Sequence, residues 1–221
     1  MMQARGLVAA TLVFLAACSR SGTLYVDIFV QTRSGSVSRA ARINVLAVPA
    51  TETFERDWAA AVAAFQVEVG PARQARKAAA DSAEEARLVW DRSLAARGTA
   101  RTGTSRRTRL SRMSTQDRHV WNQVLAAEDR LFKAKSRVWN IARRHDLQAM
   151  SLLDKHAVQR VLTDESGHFV LATLPAGKAY LHARFTVGER TLVWFRPVEV
   201  RGRPRQVDLT EANIGGWPFV P

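Results

Sequence analysis

The feature that most constrains this chain is the period of its apolar residues, which changes twice along the sequence. Near the start, Leu24, Val26 and Ile28 share one face of an alternating run, and this predicts a strand with one buried side. From residue 51 to residue 155 apolar residues recur every three or four positions, which predicts helices. From residue 156 onwards, the sequence again consists of short apolar runs separated by turn residues, which predicts further strands. Strands on both sides of a helical block predict an α+β fold with the helices inserted.

The helical block is expected to form a long antiparallel hairpin. Its first helix carries large aromatic residues and then a row of alanines, and Gly70-Pro71 is expected to break or kink it. Gly98 is expected to end that helix, and residues 97–113 are predicted to form a loop. Ser114 or Thr115 is expected to cap the second helix, with Asp117 in its first turn.

Apolar residues of the second helix repeat in steps of four and three, which is typical of a heptad seam. The seam consists of Val120, Val124, Ala127, Leu131, Ala134, Val138 and Ile141. The residues expected to widen this stripe are Trp121, Leu125, Phe132 and Trp139. We expect the tryptophans on both helices to lie in the hairpin core; exposure of some of them would indicate a protein-binding face.

Charge gives a second constraint. The 221 residues carry a formal net charge of +13, supplied mostly by arginine. This composition favours anionic partners, although an arginine-rich chain is also typical of a GC-rich genome. Within the predicted loop, the candidate anion-binding residues are Arg101, Arg106, Arg107, Arg109 and Arg112. The alternative is a solvated loop that binds nothing.

The N-terminus predicts export. Arg5 precedes a short apolar run, Leu7 to Phe14, which is too short to span a bilayer and is typical of a secretory signal. The tetrapeptide Leu15-Ala16-Ala17-Cys18 resembles the lipobox of bacterial lipoproteins. That resemblance implies cleavage after residue 17 and acylation of Cys18, with fatty acids such as palmitate. An ordinary secretory signal with an incidental cysteine is the alternative.

The same resemblance implies the membrane in which the protein is anchored. Ser19 replaces the aspartate that retains such proteins in the inner membrane, which implies lipid anchoring in the outer membrane, on its periplasmic side rather than the cell surface. Acyl chains would make the membrane the first partner of the chain. Nucleic acid fits the charge, but an exported protein is not expected to meet it.

The C-terminal segment carries a second resemblance. Residues 163–171 (Thr-Asp-Glu-Ser-Gly-His-Phe-Val-Leu) and residues 174–180 (Leu-Pro-Ala-Gly-Lys-Ala-Tyr) resemble the carboxypeptidase regulatory-like domain. This resemblance implies a transthyretin-like (prealbumin-like) antiparallel β-sandwich, interrupted here by the helical block. The implied division is a signal (1–17), a tether (18–23), the first strands (24–50), the hairpin (51–155) and the remaining strands (156–221).

Catalytic and metal-binding patterns are lacking. The histidines do not have zinc-motif spacing, Cys18 is the single cysteine, and the sequence contains neither a nucleophile elbow nor a phosphate-binding glycine loop. His145-Asp146 is expected to lie at a helix C-terminus. These observations predict a protein without cofactor or metal that is not an enzyme, and sandwiches of the implied family are usually adhesion, scaffold or accessory modules.

The sequence therefore favours a membrane-anchored binding or scaffold module that contacts an envelope protein through its hairpin. The alternative is a binder of anionic glycan or lipid through the arginine-rich loop, and a hydrolase of envelope polymers is a third possibility. Salt distinguishes the first two, because ionic binding weakens as salt rises whereas binding through aromatic residues does not. The oligomeric state is not predicted.

We expect Cys18→Ala to leave unprocessed precursor and to abolish lipid anchoring, because the thiol accepts the lipid before cleavage. Immunoblots of membrane and soluble fractions, with mass spectrometry of the N-terminus, measure both effects. A normally cleaved and soluble Cys18→Ala product would contradict the anchor.

Overall fold

The computed structural model describes residues 21–31, 37–96, 114–188 and 190–221, and within these ranges it contains eight strands and two long helices. A single 3-10 turn follows the last strand. The elements in chain order are β1 (Ser21–Gln31), β2 (Val37–Arg39), β3 (Asn44–Pro49), α1 (Glu52–Ala95), α2 (Thr115–His156), β4 (Gln159–Leu162), β5 (His168–Pro175), β6 (Gly177–Val187), β7 (Arg190–Val200) and β8 (Arg205–Leu209). The predicted α+β class and the inserted helices are confirmed.

The strands form two four-stranded sheets. In the first sheet, β1 pairs with antiparallel β5, with antiparallel β2 through its last residues and with parallel β8. The second sheet has the order β4-β3-β6-β7 and is antiparallel throughout. Leu24, Val26 and Ile28 are buried, as their alternation predicts, and pack with Leu181 and Trp194 of the second sheet. The shared core makes the two sheets a β-sandwich.

The base of the hairpin forms a third layer on the outer face of the second sheet. Val45 and Ala47 of β3 point into the sandwich core, while Leu46 and Val48 point towards the helices. Strand β3 is therefore buried on both faces, which explains why it reads as a continuous apolar run. The residues that fill this second core from the helices are Phe54, Phe65, Val69, Ala72, Val138, Ile141, Ala142, Ala149 and Leu153.

The hairpin runs along β6 from its first residue towards its last. At the start of α1, Glu55 accepts hydrogen bonds from Lys178 and Tyr180 at 2.8 and 3.1 Å. Further along the hairpin, Asp146 accepts hydrogen bonds from Arg184, near the end of β6. The hairpin therefore contacts later residues of β6 as it extends from its base towards its tip.

Strand β1 begins at the end of the sandwich where α1 also begins. Ser21 pairs with Pro175, and Gly177, the first residue of β6, pairs with Val200 at the end of β7. The tip of the hairpin consequently points away from the end of the sandwich at which β1 starts.

The distal half of the hairpin extends beyond the second core, whose last member on α1 is Ala72. There, Ala83, Val124 and Ala127 are buried. The rings of Trp90 and Trp121 meet with centroids 5.2 Å apart. At 1.5 Å per residue, the part of α1 beyond Ala72 is about 35 Å long.

Pro71 does not break α1, contrary to the expectation from the sequence, because α1 is one helix of 44 residues. Proline removes the hydrogen bond to the carbonyl four residues earlier, which here belongs to Val67. Both Val67 and Pro71 are exposed, so water can satisfy that carbonyl, while Val69 and Ala72 stay buried on the opposite side. The exposed location lets the helix continue.

Three other boundaries differ from the predicted ones. Within the region predicted to hold the first strands (24–50), Arg42 has a left-handed backbone (φ 54°) and forms a turn, so β3 begins at Asn44. The short strand β2 was not predicted. Helix α2 continues beyond His145-Asp146 to His156, since Ala149 and Leu153 extend its buried face. The predicted capping at Ser114 is confirmed: its hydroxyl accepts from the Asp117 amide and the Asp117 carboxylate accepts from the Ser114 amide.

We expect Gly70→Ala to raise the free energy of unfolding by about 1 kcal/mol, because alanine loses less backbone entropy in a helix than glycine. A Cβ at this position meets no atom within 4 Å. Urea unfolding measures the change. Gly202→Ala, in a loop with equal space, is the control and should change little. An unchanged midpoint for Gly70→Ala would indicate that residues 70–71 are not held in a regular helix.

Candidate functional site

The residues singled out from the sequence as lipidation and anion-binding sites lie outside the described residues. This applies to Cys18 and to Arg101, Arg106, Arg107, Arg109 and Arg112. Their roles in lipidation and in anion binding therefore remain predictions. The surface that the structure offers for function lies along the exposed side of α2, from the distal half of the hairpin to the level of the second core.

The tryptophans of the hairpin fall into two groups. Trp58 packs into the second core, with its ring centroid 4.4 Å from that of Phe195, and Trp90 and Trp121 pack on one another between the helices. Trp139, by contrast, is 49% exposed. The expectation that all of them belong to the core is therefore wrong for Trp139.

Trp139 belongs to an exposed apolar stripe with Leu125 and Phe132, which are 43% and 69% exposed. The three residues are seven positions apart and therefore lie on one side of α2, roughly two helical turns from each other. They were expected to widen the buried seam. They lie outside it because the small alanines of α1 let the helices approach along the seam itself, where Val124, Ala127 and Val138 are buried.

Positive charge predominates beside Phe132 and Trp139, whereas two acidic residues, Glu128 and Asp129, lie between Leu125 and Phe132 and pair with Arg87 and Lys133. Residues 130–144 of α2 contain six lysines and arginines and no acidic residue. The guanidinium carbon of Arg143 lies 5.1 Å from the centre of the Trp139 ring, within range of a cation–π interaction. A shallow groove beside Phe132 has further basic side chains along it, namely Lys133, Arg137 and Arg144. The surface thus combines large apolar side chains with a positive field.

An ion-pair group fixes the helices to each other at the lower end of this groove. Glu68 of α1 accepts a hydrogen bond from Arg144, and its other oxygen lies 2.9 Å from Nε2 of His145. These hydrogen bonds, the one from Arg144 foremost, lower the pKa of the Glu68 carboxyl. His145 is buried, so the group sets the rotation of α2 and with it the direction in which the stripe faces.

A second polar group joins α2, the sheet and the C-terminal segment. The Asp146 carboxylate accepts two hydrogen bonds from Arg184 at 2.6 and 3.0 Å and one from Nε1 of Trp217 at 2.7 Å. The Trp217 ring in turn covers His182, with centroids 4.8 Å apart. Burial, followed by the charge of Arg184, lowers the pKa of His182 to about 4. Trp217 and Phe219 were not recognised in the sequence, because they lie in a segment without a repeating pattern.

Within the described ranges, no three histidine, cysteine, aspartate or glutamate side chains lie close enough to hold a metal ion. The described helices also include none with the length and apolar character needed to cross a membrane.

Comparisons with known proteins give weak structural similarities. No protein-family model matches the chain, and no curated protein is similar to it. A proposed carbohydrate-binding protein of Pseudomonas aeruginosa aligns over 87% of this chain and 90% of its own, at 12% identity and a TM-score of 0.35. The pilus backbone protein of Streptococcus pneumoniae aligns over 81% of this chain and 35% of its own, at 11% identity and a TM-score of 0.24. Scores this low support no conclusion about function.

We expect the free energy of unfolding to fall by about 3 kcal/mol between about pH 6.5 and pH 4 through His182 alone. The unfolded chain takes up a proton near pH 6.5, whereas the folded protein keeps His182 neutral down to about pH 4. The stabilisation is therefore complete above about pH 6.5 and is lost as pH falls.

Urea unfolding at several pH values measures this effect. His182→Phe should flatten the dependence between about pH 6.5 and pH 4. If the free energy of unfolding fell equally with pH in His182→Phe and in the unsubstituted protein, the pH dependence would come from other groups.

Proposed function

We propose that this chain is a lipid-anchored, non-enzymatic binding module of the bacterial envelope, whose hairpin presents the stripe Leu125–Phe132–Trp139 to an envelope protein. The observation that carries this proposal is the exposure of three large apolar side chains on one side of a projecting helix. Exposed aromatic residues grouped on one face are typical of protein-binding surfaces.

The chemistry of the stripe specifies its partner. A protein segment that covers it needs apolar side chains for Phe132 and Trp139, and carboxylates for the basic residues of 130–144. We therefore expect an acidic, amphipathic protein segment. The positive field would speed the encounter, while burial of the aromatic rings would supply most of the affinity.

The direction of the hairpin supports an anchored arrangement. The tip of the hairpin points away from the end at which β1 begins, and β1 starts three residues after Cys18. If Cys18 carries lipid, the stripe would be held well away from the bilayer, at a distance set by the sandwich and the rigid hairpin. Anchoring would raise the local concentration of the module for a partner in the same membrane.

A transthyretin-like sandwich is part of the same proposal. Two four-stranded, mostly antiparallel sheets support it, as does the turn at Asp164. The Asp164 carboxylate accepts hydrogen bonds from the amides of Ser166 and His168, and Gly167 has the left-handed backbone (φ 78°) that closes this turn. Binding of an anionic glycan or lipid through the arginines of 97–113 stays the alternative.

Replacement of Phe132 and Trp139 together by alanine is expected to weaken partner binding at least tenfold, because buried interface aromatics contribute about 2 kcal/mol each. A photoreactive amino acid at position 132, incorporated in cells, captures the partner. Mass spectrometry of the crosslinked peptide should find acidic residues beside an apolar one. Both substitutions are on exposed side chains, so folding should be unaffected.

The matched control is Leu88→Ala with Val89→Ala, which removes two exposed apolar side chains from α1 of the same hairpin. This variant should bind normally. Crosslinks to a second copy of this chain, or a yield equal to that of a photoreactive residue at exposed Val67, would refute the proposed partner. Loss of binding in high salt with the stripe intact would favour the arginine-rich loop instead.

A further inference from the structure

The loop between β7 and β8 and the first residue of β8 carry three exposed arginines in alternate positions, Arg201, Arg203 and Arg205. In the part of the chain that the structure describes, none of their guanidinium groups has a carboxylate or carbonyl partner. By comparison, Arg184 and Arg190 of the second sheet each pair with an acidic side chain. Three unpaired guanidinium groups on five residues form a concentrated positive patch, called here the 201–205 patch.

The patch lies beside the first residues of β1. Arg201, Gly202 and Arg203 line a shallow concavity together with Ser21. The backbones are in direct contact there, because a Cβ added to Gly22 would lie 2.1 Å from the carbonyl oxygen of Arg201. Arg205 pairs with Leu24, three positions after Ser21, in the parallel ladder of β1 and β8, and lines an adjacent groove that also contains Arg196 and Glu199.

We propose that the 201–205 patch binds the phosphate groups of anionic phospholipids and fixes the orientation of the sandwich on the membrane. The inference rests on the proposed anchor at Cys18. Ser21 is three positions after Cys18, and an extended chain covers at most about 10 Å over three positions. A patch in contact with Ser21 is thus within reach of the lipid headgroups.

The chemistry of the patch suits this surface. A guanidinium group binds phosphate through two parallel hydrogen bonds, and arginine stays charged at every physiological pH. Unpaired guanidinium groups lose no internal ion pair when they bind phosphate, whereas Arg184 would have to release Asp146. The three arginines can therefore transfer to the membrane surface without disturbing the fold.

The patch would add a function that a lipid alone lacks. A single flexible tether holds the protein at the membrane but leaves it free to tilt. A second, electrostatic contact on the same end of the sandwich restricts that tilt and directs the hairpin away from the bilayer. The stripe on α2 would then face partners at a defined height.

Vesicle binding by the mature chain with Cys18→Ser, which carries no lipid, tests the patch separately from the anchor. Cosedimentation with phosphatidylcholine vesicles, with and without phosphatidylglycerol, measures the partition coefficient. Arg201→Gln, Arg203→Gln and Arg205→Gln together should lower binding to the anionic vesicles at least tenfold, since each arginine near an anionic surface contributes about fivefold. The matched control, Arg76→Gln, Lys77→Gln and Arg92→Gln, removes the same charge from distal α1 and should bind within about twofold of the unsubstituted chain.

Two results would overturn the proposal. If both triple variants lost vesicle binding equally, binding would depend on net charge alone. If the 201–205 variant bound anionic vesicles as well as the unsubstituted chain, the patch would not be the binding site. Failure of the anchor is seen separately, as an unmodified Cys18 in mass spectrometry of the protein from cells. Vesicle binding through the patch together with an unmodified Cys18 would refute the anchor alone.

Orientation is tested with a fluorophore at Gly202→Cys in the Cys18→Ser chain, a position where a side chain meets no atom within 4 Å. Quenchers attached to lipid headgroups should quench this probe. A probe at Ala95→Cys, at the far end of α1, is expected to stay unquenched. Stronger quenching at Ala95→Cys would place the hairpin tip on the membrane and refute the proposed orientation.

Discussion

The packing of aromatic rings between the hairpin base and the second sheet is the interaction on which the rest of the structure depends. Trp58 contacts four rings at once, with centroids between 4.4 and 5.8 Å apart: those of Phe54, Phe195, Trp217 and Phe219. Burial of each large side chain contributes about 1.5–3 kcal/mol, which joins a mostly self-contained hairpin to the sandwich. Without this layer the outer faces of β3 and β6 would be exposed, and the distal helices would have no fixed direction.

Polar groups give this apolar layer a single geometry. Apolar packing alone tolerates a helix that slides or rotates, whereas a carboxylate with directional hydrogen bonds does not. Asp146 receives hydrogen bonds from the sheet and from the C-terminal segment, and Glu68 holds the neighbouring turn of α2. The direction of the stripe on α2 is therefore set by two buried or half-buried carboxylates rather than by the stripe itself.

The sequence predicted elements whose signal is local and missed those that depend on tertiary contacts. The alternation in β1, the cap at Ser114 and the turn at Asp164 follow from neighbouring residues, and the structure contains all three. The break expected at Pro71 failed because the exposure of Val67 could not be read from the chain. The exposure of Trp139 was missed for a related reason: a heptad pattern gives the face of a residue but not how closely the partner helix approaches. The 201–205 patch was missed because its location beside Ser21 arises from pairing across the whole chain.

The parallel pairing of β1 with β8 has a consequence for how the molecule is made. It joins residues 24–28 to residues 205–209, so the first sheet is incomplete until nearly the entire chain has emerged from the ribosome. The hairpin, whose contacts are closer in sequence, can form earlier, whereas closure of the sandwich must wait and is expected to be slow. The sandwich therefore stays open until residues 205–209 are available, and the export proposed above would be compatible with a chain whose first sheet closes late.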